Sequence, residues 1–185
     1  MRKACFFLLL FSAVPAVVAA AQPRIVHGDD VSRMPFPGHD TALLADAAST
    51  PGAAAVLELD LPPRTFGAPP HIHAREDEFF YVVQGQVEFL DRDQRQLAGP
   101  GSLVVLPRGH LHGFWNPTDT PAKMLLIVTP GEFASFFDDV VAEIERTNAD
   151  TPERIGELIA RAAAAREVEI RMDALPAGVM ESLAD

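Results

Sequence analysis

The sequence predicts an all-β protein, a small antiparallel barrel or sandwich, followed by C-terminal α-helices. From Ala53 to Thr129, short β-prone runs are separated at close intervals by clusters of Gly, Pro and Asp, which is typical of such folds. After Pro130, apolar residues recur at spacings of three and four, the period of an amphipathic helix. The 185 residues, 48% of them hydrophobic and 22% charged, suffice for one globular domain.

Residues 1–21 have the pattern of a cleavable signal peptide. Arg2 and Lys3 precede the apolar run Phe6–Val14, and small alanines follow at a cleavage site. A retained membrane anchor is the alternative, but Pro15 interrupts an apolar stretch that barely reaches the length of a span. We therefore expect a periplasmic or secreted protein without a membrane segment after cleavage.

Charge and cysteine content exclude several classes of function. The formal charge is −11, and removal of Arg2 and Lys3 with the signal peptide would make it −13. Such an acidic chain is unsuited to binding nucleic acid or an anionic membrane surface. Cys5 is the only cysteine and lies in the signal peptide, so the mature chain has no disulfide and no sulfur ligand.

Three segments follow the signal peptide. Residues 22–52 are rich in Pro, Gly, Asp and Ser and predict an irregular N-terminal arm, in which His27 and His39 are expected to be solvated. Residues 53–130 form the predicted barrel. Its strand-like runs are AAVLELDL, EFFYVVQ, QVEFLD, GSLVVL, HGFWN and KMLLIVT.

Residues 131–185 predict a helical extension. Apolar spacing indicates one helix from Glu132 to about Arg146, and Thr151–Pro152 resembles an N-cap followed by proline at the first helical position. We expect these helices to pack outside the barrel or against a second subunit of a homodimer, with no catalytic role.

The stretch PPHIHAREDEFF places His71 and His73 one residue apart and Glu78 five residues later. In an extended strand both imidazoles lie on one face. Alternation directs Glu78 toward the barrel interior, where a carboxylate is costly unless a positive group pairs with it. A metal ion held together with imidazoles would supply that charge.

A second histidine pair, His110 and His112, follows a Pro-x-Gly turn in GSLVVLPRGHLHGFWN. Strands from different parts of a closed barrel can bring their side chains together at its centre. Two or three histidines with one carboxylate are a common ligand set for Mn, Fe, Co, Ni, Cu or Zn.

These residues carry a resemblance to the cupin superfamily. The run from His71 to Gly85 resembles the first cupin motif, H-x-H-x4-E-x6-G, and the run from Gly101 to Asn116 resembles the second, G-x5-P-x-G-x2-H-x3-N. One position departs from the first motif, since Thr65 stands where the family has glycine.

The resemblance implies a small antiparallel cupin β-barrel, or jelly roll, with one divalent metal inside it. The equivalents of His71, His73, Glu78 and His112 bind that metal in cupins, and in cupin dioxygenases the equivalent of Glu78 is also a catalytic base. The run PGEFASFF and the helical tail are similar to quercetin-dioxygenase-like single-domain cupins, which implies a dioxygenase acting on an aromatic or flavonol-like molecule. A metal-dependent isomerase or lyase, and a binding protein without turnover, remain alternatives.

Some finer expectations concern the site. No basic residue is predicted inside the barrel, which favours an apolar or aromatic ligand. Because an exported chain folds outside the cytoplasm, copper, nickel or zinc is expected more often than iron or manganese. Glu76 and Asp77 are expected to be solvated or to pair with Arg75, and His110 to lie at the mouth or surface.

Overall fold

The computed structural model describes residues 22–184, so the predicted signal peptide, residues 1–21, lies outside the described residues. The strands are β1 (Arg33–Phe36), β2 (His39–Ala45), β3 (Ala55–Leu61), β4 (Thr65–His73), β5 (Asp77–Gln84), β6 (Val87–Asp91), β7 (Gln94–Ala98), β8 (Leu103–Leu106), β9 (His112–Asn116), β10 (Ala122–Thr129) and β11 (Val168–Ile170). The helices are α1 (Ser135–Thr147), α2 (Pro152–Ala164) and α3 (Val179–Ala184).

The strands form two antiparallel sheets that enclose the core. The larger sheet has the order β1-β2-β3-β10-β5-β8 and the smaller one β11-β4-β9-β6-β7. Burial alternates strictly along β3 and β10, because successive side chains of a strand point to opposite faces. The inward residues of these two strands include Leu57, Leu59, Met124 and Leu126, all at most 1% exposed. The predicted all-β jelly roll with C-terminal helices is confirmed.

The prediction of an irregular N-terminal arm is wrong. Within residues 22–52, β1 and β2 form a hairpin, and β2 pairs with β3 in the larger sheet. The turn between them is Pro37–Gly38, and Gly38 has φ +96°. A Cβ at Gly38 would lie 2.5 Å from the Phe66 carbonyl oxygen, so only glycine fits there. Pairing with β3, which no local pattern reveals, stabilises these short strands.

Strands β7 and β11 were also not predicted. They are the two edge strands of the smaller sheet, and β7 has the polar sequence QRQLA with its first four residues exposed. Edge strands bury little side-chain surface, so their sequences lack the apolar alternation that identifies a strand.

The helix predictions are confirmed to within one turn. A 3-10 turn, Gly131–Ala134, leads into α1, and the Thr151 hydroxyl accepts a hydrogen bond from the Arg154 amide at the start of α2. Helix α1 packs against β1, and α2 against α1 and β11. Over residues 22–184, no helix is long and apolar enough to cross a bilayer.

Candidate metal centre and its cavity

Four predicted side chains converge between the two sheets. His71 and His73 lie on β4, His112 begins β9 beside it in register with His71, and Glu78 comes from β5 of the larger sheet. All four are buried, and their candidate ligand atoms all lie within 4.8 Å of one another. The cluster can therefore hold a metal ion.

The spacing of the four groups fits a single first-row ion. His71 Nε2 lies 3.1 Å from His73 Nε2, and Glu78 Oε2 lies 2.9 Å from His112 Nε2 and 3.5 Å from His73 Nε2. Ligand atoms about 2.1 Å from one ion, at angles between a right angle and the tetrahedral angle, lie about 3.0–3.5 Å apart. The three separations, 2.9 to 3.5 Å, lie close to this range, and all the candidate ligand atoms lie within 4.8 Å of one another.

Hydrogen bonds behind the cluster orient the three imidazoles. The Nδ1 of His71 donates to the Pro69 carbonyl at 2.7 Å, and the Nδ1 of His112 donates to the His110 carbonyl at 2.9 Å. Because a carbonyl can only accept, each of these Nδ1 atoms carries the proton and each Nε2 presents a lone pair to the centre. With neutral rings, the Nε2 lone pair of His112 faces Glu78 Oε2 at 2.9 Å, and the two repel each other unless a proton or a metal cation lies between them.

The surroundings also set the protonation states that a metal requires. Burial lowers the pKa of His71 to about 3, helped by the neighbouring His112. Burial alone would raise the pKa of Glu78, but its 2.9 Å contact with His112 and the nearby His73 lower the pKa to about 2. Near neutral pH, His71 is thus neutral and Glu78 is ionised, as metal ligands must be.

Glu76 corrects the expectation of a solvated acidic run. It is buried, and its Oε2 accepts a hydrogen bond of 3.1 Å from His73 Nδ1, so it completes the set of oriented imidazoles. Asp77 pairs with Arg108 at 2.5 Å, while Arg75 lies 3.7 Å from Glu167. The sequence did not identify Glu76 because three acidic residues are consecutive there. Only the geometry of the folded strands shows which side chain points toward the site.

His110 lies away from the cluster, as expected. Its Nε2 is 2.5 Å from Asp91 Oδ1, and its side chain is partly exposed. Its contribution to the site is the backbone carbonyl that orients His112.

A cavity of about 730 Å³ lies against the cluster, within the size range of small-molecule sites. His71, His73 and Glu78 form part of its wall, and no lysine or arginine of the described residues lines it. The rest is largely aromatic and aliphatic. Its phenylalanines include Phe36, Phe80, Phe114, Phe133, Phe136 and Phe137.

The C-terminal helices contribute to this cavity, contrary to the expectation that they only pack outside the barrel. Pro152, Gly156 and Ala160 of α2 line it and are exposed, so they lie at its mouth. They are spaced by four residues and share one face of the helix. The small side chains leave an opening between α2 and the barrel.

His39 is a second correction. It was expected to be solvated, but it is buried and lines the cavity at the start of β2. The Pro37–Gly38 turn directly before it was the available sequence indication of a hairpin. His27, by contrast, is exposed as expected.

Comparisons with known proteins agree with this fold. The family model described as "Cupin domain" matches residues 57–128. No curated protein matches the chain in a sequence search.

Solved structures also resemble the chain. A predicted oxalate decarboxylase from Thermotoga maritima is 18% identical with a TM-score of 0.54, covering 57% of this chain and 97% of its own. A sugar phosphate isomerase of the cupin superfamily from Silicibacter pomeroyi is 25% identical with a TM-score of 0.51, covering 57% and 75%. The polyketide cyclase RemF from Streptomyces resistomycificus is 26% identical with a TM-score of 0.50, covering 58% and 79%.

The family match spans the strands that carry all four clustered side chains. The sheet order and the site agree with it. Residues 57–128 of this chain therefore form a cupin domain.

Proposed function

We propose that this cupin is an exported metalloenzyme that oxidises an aromatic or flavonol-like small molecule with dioxygen. The observation that carries the proposal is the position of the four-residue cluster on the wall of a cavity that is otherwise aromatic. A cavity without cationic side chains favours an uncharged planar ligand over a sugar phosphate.

The clustered side chains and the phenylalanines would have different roles in the reaction. His71, His73, Glu78 and His112 would hold one divalent ion, which when bound would draw a substrate oxygen toward it and make reaction with dioxygen accessible. Glu78 has two carboxylate oxygens, so one can face the ion while the other accepts the proton of a substrate hydroxyl. The phenylalanines bind the ring and keep bulk water from the reacting end.

Export and metal identity belong to the same proposal. The pattern of residues 1–21 supports secretion to the periplasm or medium. A site that forms outside the cytoplasm meets metals without intracellular restriction, and the affinity order then favours copper, nickel or zinc over iron and manganese. Copper or nickel suits the oxygenase, whereas zinc has no redox chemistry and would favour another reaction.

The test is elemental analysis of protein isolated from its native compartment, followed by oxygen consumption with a panel of phenolic compounds. We expect close to one metal per chain and oxygen uptake with at least one flavonol. Glu78→Gln should lower that rate by about 10²-fold or more while retaining part of the metal, because it keeps the shape but loses the basicity. Near-normal turnover in this variant would remove Glu78 from the chemistry.

A non-oxidative reaction is the second candidate. Two of the similar structures, at 25% and 26% identity, are named a sugar phosphate isomerase and a polyketide cyclase. In this chain, a bound ion would polarise a substrate carbonyl while Glu78 moves a proton. This candidate predicts turnover without oxygen consumption. Ligand-induced thermal stabilisation without any turnover would instead indicate a binding protein.

We also propose that the chain forms a homodimer through the outer face of the larger sheet. Two cross-strand rows of apolar residues lie there, Leu125–Tyr81–Leu103 and Ile127–Phe79–Val105. Tyr81, Leu103 and Val105 are 43–58% exposed, and β8 is the edge strand. An uncharged patch that ends at an open edge suits a second copy of an acidic chain, because a two-fold axis pairs the patch with itself.

Light scattering coupled to size exclusion tests this surface. Wild-type protein should elute as a dimer, and Leu103→Glu should give a monomer because it places charges in the interface core. Leu97→Glu, at an exposed position of β7 in the other sheet, is the matched control and should leave the dimer intact. A monomeric wild-type protein would contradict the dimer.

A further inference from the structure

His39 is a buried polar residue that the proposed metal chemistry does not use. It follows the Pro37–Gly38 turn, and its ring stacks on Phe36 with centroids 5.0 Å apart and lies 6.1 Å from Phe114. It lines the cavity but is not part of the four-residue cluster. A phenylalanine would fill this place without the cost of burying a polar ring, so packing alone does not account for an imidazole.

One ring nitrogen of His39 is open to the cavity. Its Nδ1 lies 2.8 Å from Thr41 Oγ1, and Nε2 has no hydrogen-bond partner among residues 22–184. Within that range, no fully buried side-chain nitrogen or oxygen lacks a partner. The unpartnered Nε2 must therefore be accessible, and the space that His39 faces is the cavity.

Thr41 determines which nitrogen carries the proton. Thr41 is fully buried, and in the described part of the chain its hydroxyl contacts only the imidazole of His39. If the hydroxyl donates to Nδ1, its proton is satisfied and the imidazole proton is on Nε2. The opposite tautomer would leave a buried hydroxyl proton without an acceptor, which costs free energy. Nε2–H is thus a donor directed into the cavity.

The donor is uncharged under ordinary conditions. Burial lowers the pKa of His39 to about 3, so the imidazole is neutral at physiological pH. A neutral donor in an apolar wall suits a neutral oxygen acceptor, since a carboxylate there would remain without a compensating charge.

We propose that His39 is a second anchor point for the ligand, a hydrogen-bond donor that positions an aromatic ketone, ether or ester oxygen away from the metal cluster. The proposal rests on the aromatic ligand class of the proposed function, but it requires neither bound metal nor oxidation. His39 is a positioning residue for ligand orientation, and Thr41 fixes its tautomer.

The tautomer is tested first by ¹⁵N NMR of the histidine-labelled chain, with and without added Zn²⁺, which is diamagnetic. We expect His39 as the neutral Nε2–H form from pH 5.5 to 8. Thr41→Val should change the Nδ1 shift because the hydroxyl donor is lost. A protonated His39, or an Nδ1–H form, would overturn the proposal.

The anchor itself is tested with two probes of the same shape, acetophenone and α-methylstyrene. Acetophenone has a C=O group where α-methylstyrene has C=CH₂, so only acetophenone can accept a hydrogen bond there. Titration of wild type and His39→Phe gives the ratio of the two dissociation constants in each protein. One uncharged hydrogen bond contributes about 0.5–1.5 kcal/mol, so the preference for acetophenone should fall about two- to thirteenfold in the variant. Unchanged α-methylstyrene affinity shows that the cavity is intact.

The outcomes separate this inference from the proposed function. An unchanged ratio in His39→Phe, or failure of both probes to bind wild-type protein, would overturn the anchor. Absence of metal or of oxygen uptake would overturn the oxygenase and leave the probe ratio unaffected.

Discussion

The cavity has two walls that differ in origin and in how tightly their polar groups are held. The ligand wall carries the four-residue cluster, of which His71, His73 and Glu78 line the cavity and His112 lies beside them. All four come from central β-strands, and each has a defined hydrogen-bond partner. The aromatic wall includes the β1–β2 hairpin, α1 and α2, which lie outside the segment that matches the family, together with Phe80 and Phe114 inside that segment. Under the proposed function, the ligand wall would perform the chemistry and the aromatic wall would select the molecule.

Removing one imidazole of the ligand wall should have the largest effect. His73→Ala or His112→Ala should lose most bound metal and lower the melting temperature, because a bound ion stabilises the folded state. His110→Ala is the matched control, since its side chain faces Asp91 and its carbonyl is retained. Unchanged metal content in both ligand variants would contradict the assignment.

Glu76 should affect the same wall less strongly. Glu76→Gln weakens the acceptor for His73 Nδ1, and loss of such an orienting partner lowers metal affinity about 10- to 100-fold. Asp77→Asn changes the adjacent acid, which pairs with Arg108 instead, and should stay within about twofold. Competition with a chelating dye measures both, and equal losses in the two variants would indicate a general charge effect.

His39, on the aromatic wall, predicts a pH dependence of stability. Its folded pKa of about 3 lies below the unfolded value of 6.5, so the unfolded chain binds the proton first and wild-type stability falls as pH drops below 6.5. His39→Phe lacks this loss. In urea unfolding, the free energy of unfolding of the variant minus that of the wild type should increase by about 2 kcal/mol when the pH is lowered from 7.5 to 5. A constant difference would place His39 in contact with solvent.

Gly156 should give the smallest change in stability and a separable change in access. A Cβ there meets nothing within 4 Å, so Gly156→Ala should stabilise α2 by about 0.5–1 kcal/mol. Gly156→Trp should narrow the mouth and slow binding of bulky ligands. Glu157→Trp adds the same bulk at an exposed neighbouring position that does not line the cavity. Equal binding rates in the two Trp variants would argue against a mouth at α2.

The two walls also differ in what the sequence reveals. His71, His73, Glu78 and His112 follow fixed spacings because strand alternation and turn geometry allow few alternatives. Glu76 could not be separated from Asp77 and Glu78, since its direction depends on the turn between β4 and β5. The burial of His39 depends on the pairing of β2 with β3 and on α1 packing over β1, which are long-range contacts that local periodicity does not encode.

The most direct test of the metal centre is anomalous diffraction from a crystal of the protein loaded with Ni²⁺, measured on both sides of the nickel absorption edge. We predict one strong peak, about 2.0–2.2 Å from the ligand nitrogens and from a Glu78 oxygen, with its open side toward the aromatic wall. A loaded crystal with no peak among His71, His73, Glu78 and His112, or with its nickel held only by other residues, would contradict the account.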